Sequence, residues 1–230
     1  MRVIPLKRNP KAYSCNAYLV LGDWNRLEDV NTLVDIGSDG FIIDEIEKLS
    51  TGFGKKPVQQ VILTHSHFDH VSGLPDILKQ YNPTVYAFSN DGEAMELLKD
   101  GQVIRMGDRD LSVIHAPSHS NDSVCLYCAQ EKVLFSGDTP LRILTPKGSY
   151  EPAFVSLLER LALMDIQVIY SGHDPPVRSN ACGVIRATLA NVRAAVSLNR
   201  KTYKDCCDPV SDGKEVKQAL MAKSNELRRS

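Results

Sequence analysis

An uncharged β-type run, Val58-Gln-Gln-Val-Ile-Leu63, passes without a break into Thr64-His65-Ser66-His67-Phe68-Asp69-His70. A regular strand would send alternate side chains to opposite faces, so three imidazoles and a carboxylate this close cannot share one strand and meet. A strand-end loop can turn all four towards one point. The chain therefore needs a rigid sheet whose edge presents this cluster. Neutral imidazole nitrogen and carboxylate oxygen are good ligands for zinc and similar ions.

Three later elements repeat the pattern of a β-type run followed by a potential ligand. His119 lies in Ala116-Pro-Ser-His-Ser-Asn-Asp122 between two strand-like runs, Asp138 follows Val133-Leu-Phe-Ser136, and His173 follows Val168-Ile-Tyr170. Four strand ends delivering ligands to one rim is the arrangement of a site on a rigid scaffold.

Apolar periodicity predicts strands over 17–21, 32–36, 58–63, 84–88, 102–105, 111–114, 123–127, 132–135 and 167–170. It predicts helices over 40–50, 74–81, 91–99, 153–164, 180–199 and 215–227, with an irregular stretch over 137–150. Hairpins mixed with crossovers imply an α/β (α+β) chain with two mixed sheets packed together and helices outside. Residues 1–180 are expected to form the catalytic domain, and 181–230 a helical extension packed on it.

Composition excludes several classes. With 43% hydrophobic and 24% charged residues the chain is neither disordered nor fibrous. A net charge of -1 offers no electrostatic reason to expect nucleic acid or an anionic membrane as partner. No run reaches the length of an apolar membrane span, and the first residues lack the apolar region and cleavage site of a signal peptide. The six cysteines form no dense disulfide framework, so a reduced, cytoplasmic setting is expected. Cys125 and Cys128 lie within one strand pattern, face opposite ways and lack a partner pair, which argues against a zinc half-site. His115 shares the alternation of Leu111 and Val113 and is expected to be a hydrogen-bonded structural residue rather than a ligand.

These residues, in this order, resemble the metallo-β-lactamase superfamily over most of residues 13–178. Ser14-Cys-Asn-Ala-Tyr-Leu-Val20 and Leu33-Val-Asp-Ile-Gly37 are similar to that family's opening strands, and His65–His70 to its signature. The resemblance implies an αββα sandwich with a dinuclear site at one edge. It implies that His65, His67 and His119 hold one metal, that Asp69, His70 and His173 hold the other, and that Asp138 bridges them. The implied cofactor is two Zn2+ per chain, with Fe or Mn as substitutes. The implied activity is hydrolysis of a small ester or thioester by a zinc-activated hydroxide, in the manner of hydroxyacylglutathione hydrolase (glyoxalase II). Asp69 is the candidate catalytic group, orienting the nucleophile or shuttling a proton.

Alternatives for the same site are a phosphodiesterase or lactonase, a mononuclear iron oxidoreductase like the persulfide dioxygenases, and a metal-retaining ligand-binding protein. Asp138 argues against β-lactam hydrolysis, and Asp138-Thr-Pro-Leu-Arg142 lacks the Tyr of the acyl-homoserine lactonases. Arg142, Tyr150 and Arg178 lie in loops flanking the ligands and are the candidate substrate-binding residues. The expected partner is a small-molecule substrate, with a homodimer possible and neither nucleic acid nor membrane expected.

Overall fold

Strands β1 (Arg2–Pro5), β2 (Tyr18–Leu21), β3 (Thr32–Val34), β4 (Gln60–Ile62), β5 (Thr84–Ala87) and β6 (Met95–Leu97) form one sheet in that spatial order. The first three pair antiparallel, and β3 through β6 pair parallel. The parallel crossovers carry helices α1 (Ile42–Ile46), α2 (Phe68–Val71) and α3 (Leu74–Tyr81). A second sheet has the order β11 (Val168–Ser171), β10 (Val133–Gly137), β9 (Val124–Cys128), β8 (Arg109–His115) and β7 (Val103–Met106). Only its β10–β11 pair is parallel, and α4 (Pro152–Ala162) makes that crossover. Helix α5 (Ala181–Cys207) follows. This computed structural model describes residues 1–89 and 95–207.

Alternation along the strands explains the layering. In β2, Tyr18 and Val20 face the second sheet, while Leu19 and Leu21 face the helices of the first half. In β10, Val133 and Phe135 enter the inter-sheet core and Leu134 points to α4 and α5. Three apolar layers result: sheet one against α1 and α3, sheet against sheet, and sheet two against α4 and α5. Strands buried on both faces read as continuous apolar runs, which is why β2 and β10 carry so few polar residues. Cys125 and Cys128 fall in different layers, as the alternation predicts.

Several elements differ from the sequence expectation. Met95–Leu97, expected within a helix over 91–99, is an edge strand in parallel register with Val85–Ala87. Met, Glu and Leu are good helix formers, but an unpaired β5 edge supplies ladder partners that propensity does not count. Arg2–Pro5 is a strand that the sequence does not announce, because its pairing with Tyr18–Leu21 is non-local and its proline sits where an edge strand tolerates one. Only Ile42–Ile46 of the helix over 40–50 is helical. The helix expected over 215–227 lies outside the described residues.

Helix α5 is an outer layer of the second half. Ala181, Ile185, Leu189 and Val192 bury one face against α4 and the second sheet, and Arg186 and Arg193 are exposed. Its segment Ala181–Asn199 is long and apolar enough, by length and composition, to cross a membrane, contrary to the sequence expectation of no such run. Of its most apolar stretch 33% is buried.

Leu126 is fully buried between the sheets, whereas Leu163 is 90% exposed after α4. Leu126→Ala is expected to cost about 2–5 kcal/mol in urea unfolding, and Leu163→Ala less than about 0.5 kcal/mol. Equal costs would contradict the layer assignment.

Candidate metal centre

The site starts from an acidic residue at the end of an apolar strand. Asp35 follows β3 with φ 55°, a left-handed conformation that a non-glycine residue holds only where its surroundings fix it. The surroundings are clear. Its backbone NH donates to the Ile62 carbonyl at 3.0 Å, and its carboxylate accepts from the Thr64 NH and the Thr64 hydroxyl, each at 2.8 Å. The same carboxylate lies 2.9 Å from His70 Nδ1. The backbone NH groups of Ile36 and Gly37 both donate to the His70 carbonyl. Asp35 thus joins the end of β3 to the end of β4 and fixes one imidazole.

The histidine-rich segment then divides. Thr64 and His65 lie just past the end of β4, His67 precedes α2, and Asp69 and His70 lie within α2. The sequence pattern predicts a loop throughout this segment. A four-residue helix is instead what brings the consecutive residues Asp69 and His70 both into the buried interior. Second-half ligands arrive from the facing loops. His119 comes from the β8–β9 loop, Asp138 from the end of β10, and His173 from the end of β11.

The seven residues converge. His67 Nδ1 and His119 Nε2 are 2.9 Å apart, and one ligand atom from each of His65, His67 and His119 lies within 4.8 Å of the others. Asp69, His70 and His173 form a second such group, with His173 Nε2 3.0 Å from Asp69 Oδ2. Asp138 stands between the groups. Its Oδ2 is 3.6 Å from His119 Nε2, 4.0 Å from His65 Nε2 and 3.3 Å from His173 Nε2, and its Oδ1 is 3.4 Å from His70 Nε2. Gly172 makes this approach possible, because a side chain there would overlap Asp138 Oδ1 and crowd His70.

The donor set fits a cation. His65 Nε2, His70 Nε2 and Asp138 Oδ1 are buried, face one another and have no hydrogen-bond partner. Native proteins rarely leave such atoms unsatisfied, and a divalent ion coordinates both imidazole nitrogen and carboxylate oxygen. The electrostatics agree for His65, His119 and Asp138, whereas His70 without a cation is held by its carboxylate neighbours in the protonated form. Burial, with help from the charge on His70, pushes His65 down to about 4, so it stands as a neutral imidazole at physiological pH. Burial also lowers His119. For His70 burial acts downward, but the carboxylates of Asp35 and Asp138 outweigh it and raise the group. Burial likewise opposes ionisation of Asp138, yet His70, His173 and His65 hold its carboxyl below the ordinary range.

Of the candidate substrate residues, Arg142 lines a cavity of about 350 Å³ beside the centre, together with His119, Asp138, Leu141, His173 and Val177. Tyr150 donates to the Lys147 carbonyl and packs near Phe154, and the Arg178 guanidinium lies 5.6 Å from the centroid of the Tyr170 ring. His115 stays out of the cluster, stacked on Phe88 with Nε2 2.8 Å from the Asn121 carbonyl oxygen. Sequence reasoning missed Asp35, Thr64 and Cys15. Cys15 is buried within 4.8 Å of Asp35 and His70, and burial pushes its thiol up to about 11. Asp35 had a signal: a carboxylate closing an apolar run, two residues before glycine, is costly to bury unless it is paired.

Comparison with known proteins agrees with this geometry. Residues 10–173 match the family model of the metallo-β-lactamase superfamily. The chain is 29% identical over 181 residues to a hydroxyacylglutathione hydrolase of Methylobacterium nodulans, covering 75% of this chain and 69% of that one. It is 27% identical over 186 residues to an atrochrysone carboxyl ACP thioesterase of Aspergillus fumigatus, covering 75% of this chain but only 44% of the relative. The fold is similar to that of a metallo-β-lactamase family protein of Thermus thermophilus, with TM-score 0.63, 19% identity and coverage of 86% of this chain and 80% of that one. The order of the strand-end histidines and aspartates and the two facing sheets agree with the matched span, which places the chain in the metallo-β-lactamase superfamily.

Proposed function

We propose that this chain hydrolyses an acyl thioester with the help of two divalent cations, zinc in the first instance. His65, His67 and His119 would hold one, Asp69, His70 and His173 the other, and Asp138 would serve both. The observation that carries this reading is the Asp138 carboxylate, which reaches the histidines of both groups at 3.3–4.0 Å. Two relatives bearing the names thioesterase and hydroxyacylglutathione hydrolase support the thioester class.

Such cations, when bound, lower the pKa of water and polarise an acyl oxygen. The chain's own residues do the rest. Asp35 holds His70 by Nδ1, which leaves Nε2 aimed at the centre. Asp69 is buried with its Oδ2 beside His173 and is placed to orient the attacking water and carry its proton. Leu141, Pro140 and Val177 line the adjoining cavity and give an acyl group an apolar seat. In the net reaction water adds its oxygen to the acyl carbon and the carbon–sulfur bond breaks. The thiol leaves with one proton, and the carboxylic acid loses the other to solvent.

Elemental analysis followed by a panel of thioester, ester, lactone and phosphodiester substrates tests the reading. Two zinc equivalents per chain and turnover of thioesters are expected; one iron with oxygen consumption would replace the reading by a dioxygenase. Asp69→Asn is expected to lower kcat by about 100-fold or more while KM moves only a few-fold. Full turnover of that variant with its metals retained would remove Asp69 from the chemistry. Asp35→Asn is expected to weaken metal binding about 10- to 100-fold in chelator competition. Unaltered affinity would mean that Asp35 serves the fold alone.

A further inference from the structure

The metal centre adjoins the cavity beside Leu141 and Val177. The Tyr13 ring stacks on the His173 imidazole, with centroids 5.3 Å apart and planes 19° apart. Tyr13 is 68% exposed, and Phe68, 63% exposed, stands 6.3 Å from it. Two exposed aromatic rings at the mouth of a buried polar site make a contact surface for a ligand.

Tyr13 also belongs to an open groove of about 770 Å³, lined with Lys7, Arg8, Pro10, Ala12 and Phe41. The segment that forms it is held in place. The Asn9 amide donates to Asp39 Oδ2 at 2.7 Å, the Arg8 guanidinium to the Ser14 carbonyl at 3.1 Å, and the Leu6 NH to the Ala17 carbonyl at 3.0 Å. The segment's own charge has one sign, with Asp39 at Asn9 and Glu45 near Lys7 as its acidic neighbours. The first 22 residues contain Arg2, Lys7, Arg8 and Lys11 and no acidic residue. Among the described residues, no carboxylate lies within 4.0 Å of the side-chain nitrogens of Lys7, Arg8 or Lys11, although ion pairs are drawn elsewhere on the surface.

We propose that this groove seats the thiol arm of the substrate and that the arm carries phosphate, so that the substrate is the acyl thioester of a phosphopantetheine-type thiol. The proposal rests on the thioesterase reading above. The acyl group occupies the cavity by Leu141, the scissile carbon–sulfur bond lies over the centre, and the arm leaves past Tyr13. An extended, weakly polar arm matches the Pro10, Ala12 and Tyr13 surface. The phosphodiester of a carrier-bound arm, or the diphosphate and 3′-phosphate of coenzyme A, offers anionic oxygens to Lys7 and Arg8, neither of which has a carboxylate within 4.0 Å.

The test uses the metal-loaded full chain and one acyl group on three thiols: coenzyme A, glutathione and N-acetylcysteamine. The kcat/KM for the coenzyme A ester is expected to exceed that for the N-acetylcysteamine ester by about tenfold or more, through KM, with the gap narrowing as salt rises. Lys7→Glu/Arg8→Glu is expected to reduce that ratio about tenfold, and Lys7→Ala to reduce it less. The same acyl group on a phosphopantetheinylated carrier protein identifies the source, since preference for it over the coenzyme A ester assigns the arm to a carrier. Equal kcat/KM for the phosphorylated and truncated esters, a higher value for the glutathione ester, or a ratio indifferent to the charge reversal overturns the proposal. Calorimetric binding of coenzyme A separates the two readings. Silence on every thioester defeats the hydrolase reading, and coenzyme A binding that is absent or unaffected by the charge reversal defeats the groove.

Discussion

Asp35 turns a buried carboxylate under the histidine-rich segment, and most of the centre is arranged around it. It stitches the ends of β3 and β4 together through Thr64 and grips His70 through Nδ1. Its left-handed backbone is a local cost that a non-glycine residue bears only where several contacts over-determine it. The hydrogen bond at Nδ1 fixes the ring's orientation and leaves the other nitrogen for a cation, the usual part played by a carboxylate behind a ligating imidazole. A residue behind the cluster thereby governs the orientation of an imidazole within it.

The remaining geometry depends on keeping two sheets in register, because each supplies only part of the cluster. The first half brings His65, His67, Asp69 and His70; the second brings His119, Asp138 and His173. Direct ties cross between the halves at the site itself. The Asn16 NH donates to the Gly172 carbonyl at 2.6 Å, the Tyr18 hydroxyl to the Ser171 carbonyl at 2.6 Å, and the Val124 NH to the Thr64 carbonyl at 2.8 Å. Behind them lies the inter-sheet core of Phe135, Leu126, Met106 and their neighbours, close-packed and hence stiff. Facing carboxylates and imidazoles are expensive to bury without a partner, so a scaffold that spends core packing to hold them together implies a ligand that compensates them.

A cavity at the centre and a groove beyond Tyr13 differ in shape and charge. The cavity by Leu141 and Val177 is the smaller and contains Arg142, whereas the groove by Tyr13 is wider and lined by Lys7 and Arg8. A substrate with one compact end and one extended anionic end would be oriented by that difference before any chemistry occurred.

The residues of the cluster were readable as candidates because each sits just past a β-type run, and because His65-x-His67-x-Asp69-His70 has few bland explanations. The two-sheet architecture was readable because apolar alternation and turn residues are local signals. Met95–Leu97 and Arg2–Pro5 were not readable, since their strand state comes from a partner distant in sequence. The same holds for Cys15 and Tyr13, whose side chains acquire meaning only from the imidazoles beside them. By itself the sequence determined which chemical groups were available and that they would lie at strand ends. Tertiary structure alone decided that Asp138 stands between two histidine groups, that Asp35 holds His70, and that a cationic groove opens beside His173. Hydrogen bonds and close packing between segments far apart in the chain set these distances, and no local preference specifies them.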